Sequence, residues 1–436
     1  MISSWCANII TLIKETINSI DFIEKYKYSP EDFTRKSPLD FPTLFSFITN
    51  LRRSSSQHEL DEFFRLINGN ELPDIEVTGS AFYQARKKLN YQAFCEVISL
   101  LCDAFYEHSP WKTWLGFRLL AIDGTAIKVK EADDYSKQFF GLINNGSETP
   151  YALARISQCY DVLNHITLSA GIGPNSIGER EMALEHLAAI EPINDLILLD
   201  RGYPGFCFFR QLLSRGSQFC ARAAVGSWTS ITKPFLDSGL TEQIIDYTPS
   251  KEINAECKRL GLSCDSMTLR LIRIELSGGE TEILITSLTD CEKFSYQLFK
   301  ELYHLRWPVE EAYKVLKCRI EIENFSGKSL LAIKQDFFAN VLMFDITSML
   351  IAPIDKKAEC KSQTTTLDYK VNRTEAFRKM KNFGILMFFR KSTINIINRL
   401  HKFFMANLTA IRKNRSFERK KNAKKVKFAF AYKPMT

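Results

Sequence analysis

Histidine is scarce in this chain, and its cysteines follow no pattern. Six histidines are spread over 436 residues with none paired at ligand spacing, and the eleven cysteines include no C-x-x-C pair. The closest cysteines, Cys95 with Cys102 and Cys257 with Cys264, are seven positions apart. That argues against structural zinc. The N-terminus, MISSWCANIITLIKETI, lacks a basic leader region, and Glu15 follows its apolar part. An odd cysteine count without a secretory leader reads as reduced thiols of an intracellular protein, packed as small hydrophobes. Long apolar runs are missing too. The strongest, Phe337 to Pro353, contains Asn340, Asp345, Thr347 and Ser348. It is short for a membrane span and reads as a buried helix, so no membrane partner is expected. No internal repeat is visible.

What is present is an ordinary globular composition, 45 % hydrophobic and 25 % charged. That is ample for a core and too apolar for a disordered chain. At typical domain sizes the length corresponds to about two to four structural units. The formal charge of +8 is unevenly placed. Residues 411–436 hold ten lysines and arginines against Glu418 alone, and the rest of the chain holds 48 basic and 49 acidic residues. A basic tail of this kind reads as a nucleic-acid contact or a solubilising end.

The pattern changes along the chain. Residues 1–112 repeat apolar positions at helical spacing, as in Leu44, Phe47, Ile48 and Leu51. Within them GSAFYQARKKL (79–89) suggests a helix capped by Ser80, with a cationic face at Arg86 to Lys88 that could touch DNA. From 113 short apolar runs alternate with helical segments, which argues for an α/β sheet domain. Residues 215–294 are β-rich, with LRLIRIEL (269–276), a glycine turn and TEILIT (281–286) forming a hairpin signature. This block sits inside the α/β region as an insertion. Residues 295–353 resume that region, and 354–436 read as helical with the basic tail.

Three acids carry the chemistry. Leu119–Ile122 leads into Asp123 and Gly124, and Leu196–Leu199 leads into Asp200, Arg201 and Gly202. Each aspartate is read as ending an apolar strand at a turn. Adjacent strands would set the two side by side. The third acid lies in YHLRWPVEEAYKVLK (303–317), where Tyr303, Arg306, Glu310 and Lys317 stand at offsets 0, 3, 7 and 14. On one continuous helix those four fall within roughly 60° of one another. Pro308 leaves two geometries open: a helix that kinks there, or one that begins there, with Tyr303 and Arg306 in the preceding turn. Three carboxylates together repel unless a cation joins them, and oxygen-only donors suit Mg²⁺ or Mn²⁺. Two such ions about 4 Å apart can activate an attacking oxygen and stabilise a leaving one on phosphorus.

The stretch Tyr303-x-x-Arg306-Trp307-x-x-Glu310, followed by Lys317, resembles the Y-R-E-K signature of DDE transposases of the insertion-sequence-four family. Asp123-Gly124-Thr125 is similar to that family's first catalytic region, LLDRGYPGF (198–206) to its second, and ENFSGKS (323–329) to its usual continuation. The resemblance covers about 113–350. It implies an α/β, ribonuclease H-like catalytic core interrupted by a β-rich insertion and preceded by a helical region suited to DNA-end binding. It implies that Asp123, Asp200 and Glu310 are catalytic and bind Mg²⁺ or Mn²⁺, as two ions. Tyr303, Arg306 and Lys317 would hold DNA phosphates, and Trp228 is a candidate to capture a flipped base. The implied activity is cut-and-paste transposition of an insertion sequence, by phosphodiester hydrolysis and strand transfer at terminal inverted repeats. The implied partners are the transposon ends and target DNA, bound by a dimer in the synaptic complex, in the cytoplasm on chromosomal or plasmid DNA. The alternative is a catalytically inactive or repurposed DNA-binding relative. A haloacid dehalogenase-type phosphatase, suggested by Asp-Gly-Thr, would need an aspartate where this chain has Ala121.

Overall fold

In the computed structural model, residues 4–50, 54–129, 132–143, 151–224, 226–275, 279–362 and 367–411 are described. The basic tail noted above lies outside the described residues, apart from Ile411. The chain divides into two units, Pro110–Val315 and a second one formed by Met1–Ser109 with Leu316–Thr436.

In the unit Pro110–Val315, the described residues form one large mixed sheet flanked by helices. Its strands are β1 (Arg118–Val129), β2 (Leu142–Ile143), β3 (Tyr151–Asp161), β4 (Ile166–Pro174), β5 (Asp195–Leu199), β6 (Gln218–Ala223), β7 (Glu242–Tyr247), β8 (Met267–Glu275) and β9 (Thr281–Thr286). The path is β2-β3-β1-β5-β6-β9-β8-β7, with β4 also paired to β3. β1, β3 and β4 form an antiparallel meander, while β5 and β6 run parallel to β1. Every residue of DLILL in β5 is buried, as a central parallel strand covered on both faces requires. The helix Glu179–Ala189 links β4 to β5, and Phe206–Ser214 links β5 to β6. The β-rich residues 215–294 supply four strands that extend this same sheet, with Gly279 at positive φ in the β8–β9 turn.

The other unit is mainly helical. Its longest helix, Leu330–Ser362, contains the run Phe337 to Pro353. By length and composition it could cross a membrane, but most of it is buried within the protein. Thr78, rather than Ser80, caps the helix Gly79–Ala85, its side chain accepting from the Ala81 amide. Arg86 is not part of an exposed cationic face. It is buried, and donates to Ser326 Oγ at 2.6 Å, Gln335 at 2.9 Å, the Ala332 carbonyl at 3.0 Å and Asp336 at 2.9 Å. The apolar spacing around it draws the short helix inward, and a buried guanidinium must satisfy its donors there. Gly327 permits the approach: a Cβ there would stand 2.6 Å from the Ala332 Cβ and 3.1 Å from Arg86 Nη1.

Candidate active site

The two aspartates are neighbours because two strands are locked in register. β1 and β5 pair in parallel from Arg118 with Asp195 to Ile122 with Leu199. The next residues are Asp123 and Asp200. The lock is a buried bidentate ion pair at the strands' starts, Arg118 Nε to Asp195 Oδ1 at 2.7 Å and Nη2 to Oδ2 at 2.9 Å. A planar guanidinium against a carboxylate fixes both distance and orientation.

Asp123 does not end its strand. β1 runs on to Val129, and Asp123 sits opposite Gln158 of β3. What ends at Ile122 is the pairing with β5, so the sheet opens at the two acids. Neither Gly124 nor Gly202 has the positive φ of a turn glycine. Both lie instead beneath Glu179, the first residue of the helix Glu179–Ala189. A Cβ on Gly124 would stand 3.8 Å from Glu179 Cγ, and one on Gly202 only 2.8 Å from Glu179 Oε2. Arg180, next on that helix, clamps the loop after Asp200 through the carbonyls of Gly202 (3.0 Å) and Pro204 (2.7 Å).

The third acid arrives on a broken helix. Leu298–His304 is helical and carries Tyr303, Leu305–Trp307 form a turn, and a new helix, Pro308–Val315, begins at Pro308. A proline there has no amide for His304 to accept from, and its ring clashes with that carbonyl, so the chain restarts with Pro308 at its first helical position. The single stripe through Tyr303, Arg306, Glu310 and Lys317 therefore does not exist. Lys317 lies in a π-helical stretch, Leu316–Ile320, in the other unit. Tyr303, Arg306 and Glu310 nevertheless meet across the turn. Arg306 Nη2 is ion-paired with Glu310 Oε1, and the guanidinium lies 5.9 Å from the Tyr303 ring centroid. Tyr313, one turn beyond Glu310, donates to the Asp123 carbonyl at 2.7 Å and pins this helix to β1.

Asp200 is held by Arg222 of β6, whose Nε and Nη2 lie 2.9 and 2.7 Å from Oδ1 and whose Nη1 pairs with Glu282. The Arg222 guanidinium also stands 5.9 Å from the Tyr303 ring, so that buried phenol separates two arginines, each serving a different acid. Burial pushes the Asp123 carboxyl up to about 6, with Asp200 and Glu310 adding to the rise and Arg306 and the Gly124 amide opposing it. Burial also pushes Asp200 up, but the Arg201 amide, Arg306 and Arg222 outweigh it and its net direction is down. Two donors are left over. The Tyr203 hydroxyl (residue 1 % exposed) and Arg306 Nε are buried with no hydrogen-bond partner among the described residues. Burial holds the Tyr203 phenol above its ordinary range, and Asp123, Glu179 and Asp200 push the same way, so the ring stands within their field.

The structure thus brings Asp123, Asp200, Glu310, Tyr303 and Arg306 together. Trp228, in the same unit, stands in a left-handed backbone conformation at φ 58°, with its ring 5.5 Å from Phe209 and 4.8 Å from Tyr247. Glu179, Tyr203, Arg222 and Tyr313 belong to the neighbourhood of the acids without having been singled out from sequence. Only Tyr313 had a usable signal, since it shares a helix face with Glu310 at three residues' distance. The donor set of three carboxylates fits a hard divalent cation such as Mg²⁺ or Mn²⁺. As the side chains stand, no three acidic, histidine or cysteine groups among the described residues are close enough to hold an ion, and two of the acids face arginines instead.

Residues 114–344 match the family described as "Transposase DDE domain". Over 275 residues the chain is 23 % identical to the transposase InsG for insertion sequence element IS4 of Escherichia coli (strain K12), an alignment covering 62 % of this chain and 60 % of that relative. The piggyBac transposase, solved in a synaptic complex with hairpin DNA, superposes with a TM-score of 0.51 at 10 % identity, over 93 % of this chain and 87 % of that one. The family match takes in both strand-borne aspartates, the broken helix and Glu310, and the chain belongs to the transposase DDE domain family.

Proposed function

We propose that the protein is a DNA transposase that moves an insertion sequence by cut-and-paste, through metal-dependent phosphodiester hydrolysis and strand transfer at terminal inverted repeats. The observation that carries this reading is the meeting of Asp123 and Asp200 at the opening of a parallel strand pair, with Glu310 on a helix pinned to the same strand by Tyr313. The strand order supports a ribonuclease H-like core: an antiparallel meander β4-β3-β1 followed by parallel β5 and β6. On this reading residues 113–214 and 295–353 are the core, 215–294 the insertion, 1–112 a helical region for DNA ends, and 354–436 a helical region with the basic tail.

Asp123, Asp200 and Glu310 would hold two Mg²⁺ or Mn²⁺ ions. Such ions activate the attacking oxygen, a water or a 3′-hydroxyl, and stabilise the leaving oxygen. The protein's own contribution is placement. Arg118 and Asp195 keep the two strands in register, Arg180 and Arg222 hold the Asp200 loop and carboxyl, and Tyr313 holds the Glu310 helix. Tyr303, Arg306 and Lys317 are assigned to DNA phosphates, and Trp228 to a flipped base. The partners are the element's ends and target DNA, paired by a dimer in the cytoplasm. Asp123→Ala, Asp200→Ala and Glu310→Ala should each reduce nicking of inverted-repeat DNA in Mg²⁺ or Mn²⁺ below detection while leaving DNA binding within about twofold. Cleavage retained in any one of the three removes that residue from the metal site.

A further inference from the structure

Arg306 occupies an unusual place for a residue expected to grip DNA. It is 4 % exposed, lies in the turn ahead of the Glu310 helix, and gives Nη2 to Glu310 while Nε stays unpartnered. Its charge is felt by the other two acids as well, since it opposes protonation of both Asp123 and Asp200. Three clustered carboxylates require positive charge nearby. This guanidinium supplies it for Glu310, as Arg222 does for Asp200.

The two arginines differ in what they could do next. Arg222 is tied at both ends, to Asp200 and Glu282, on a sheet strand. Arg306 has one ionic partner, an unpartnered nitrogen, and a position in a three-residue turn. A divalent ion on Glu310 would stand against a guanidinium already there, and like charges at that distance repel, the more so because Arg306 itself is buried. An ion that takes Oε1 displaces the guanidinium from that oxygen. A displaced buried guanidinium needs a new anionic partner, and a phosphodiester offers two oxygens to its fork. The unpartnered Tyr203 hydroxyl is a further donor in the same cluster.

We propose that Arg306 is the resident counter-ion of the carboxylate site, so that binding of a divalent ion at Glu310 and withdrawal of Arg306 from it are one coupled event, with DNA phosphate as the anion that receives the freed guanidinium. This rests on the carboxylates being the metal site. By linkage, DNA and metal then raise each other's affinity by the same factor. The arrangement keeps a nuclease site weakly loaded until DNA is present.

Mn²⁺ binding to the full-length protein without DNA tests it, by calorimetry and by the spin-resonance signal of free Mn²⁺. Arg306→Gln should bind Mn²⁺ more tightly than the wild type, by about tenfold at the usual size of such couplings. Arg306→Lys, which keeps the charge, should stay near the wild type. Equal or weaker binding by Arg306→Gln overturns the proposal. Asp123→Asn separates this from the underlying reading: if it leaves Mn²⁺ binding unchanged, the metal-site assignment itself fails, whereas loss of binding in Asp123→Asn with no gain in Arg306→Gln sinks only the counter-ion role. A second measurement needs no variant. A crystal of the wild type soaked in Mn²⁺ should show the Arg306–Glu310 contact broken where an ion is bound, and an intact contact beside a bound ion would refute the coupling.

Discussion

Asp123 carries a larger electrostatic load than Asp200 because it is more deeply set and, among the described residues, has no arginine in direct contact as Asp200 has Arg222. Burial, with Asp200 and Glu310 behind it, raises its carboxyl from the ordinary 3.8 to about 6. A raised acid means the native state binds more protons than the unfolded chain between those values, so stability falls as pH rises through that window. The contribution is fully present below about 3.8 and lost above about 6. At 1.36 kcal/mol per unit, the loss above pH 6 is about 3 kcal/mol. Asp123→Asn should therefore melt higher than the wild type in chelator at pH 7.5, and the gap should shrink to roughly half at pH 5. Thermal melts at the two pH values decide it. A constant gap would mean the carboxyl titrates normally. The two aspartates were legible in the sequence because each follows a run of apolar residues, and Glu310 because of its spacing from Tyr303, Arg306 and Lys317. Arg222, Glu179 and Tyr203 were not, because nothing in the spacing of an arginine on β6 or a glutamate at a helix start says which side chain it will face. Arg306 was legible as a residue but its burial was not, since burial of a turn side chain depends on what folds over it.

Among the elements, Pro308 is the clearest case of a local rule overriding a pattern. The apolar and charged spacing of 303–317 suits one helix, and the missing amide splits it, which places Tyr303 and Arg306 by a turn and Glu310 by a helix start. That alternative was readable from the proline alone. The continuation of β1 past Asp123 was not, because an Asp-Gly step suits a turn and only the partner strand β3 overrules it. The β1–β5 register was equally hidden, since it depends on Arg118 and Asp195, 77 positions apart. Their side chains are 3 % and 1 % exposed, so removing one partner leaves a buried charge. Arg118→Met alone should cost about 3–5 kcal/mol in denaturant unfolding, whereas Arg118→Met with Asp195→Leu should be close to neutral in stability. If the register lock matters to the site, the double variant should still lose DNA cleavage, because nothing then fixes the spacing of Asp123 to Asp200. A fully active double variant would show that sheet pairing suffices.

For the whole molecule the question is where the affinity for a polyanion comes from. Outside the last 26 residues the chain holds 48 basic and 49 acidic side chains, and several arginines in the described part are spent inside the fold, as Arg86, Arg118 and Arg270 are. We propose that the tail, with its ten cations against Glu418, carries much of the sequence-independent part of DNA binding. Each cation that neutralises a phosphate releases a counterion, and log affinity falls with log salt at about −0.9 per contact. Replacing Lys420, Lys421, Lys424, Lys425, Lys427 and Lys433 by Gln should weaken binding to all duplexes alike and reduce the salt slope by up to about 5. The same variant should leave the preference between inverted-repeat and random DNA unchanged, because backbone contacts carry no sequence information. Fluorescence anisotropy of labelled duplexes across a salt series gives both quantities. A slope equal to that of the wild type would mean the tail only solubilises, and the phosphate contacts would then have to be sought on the folded units.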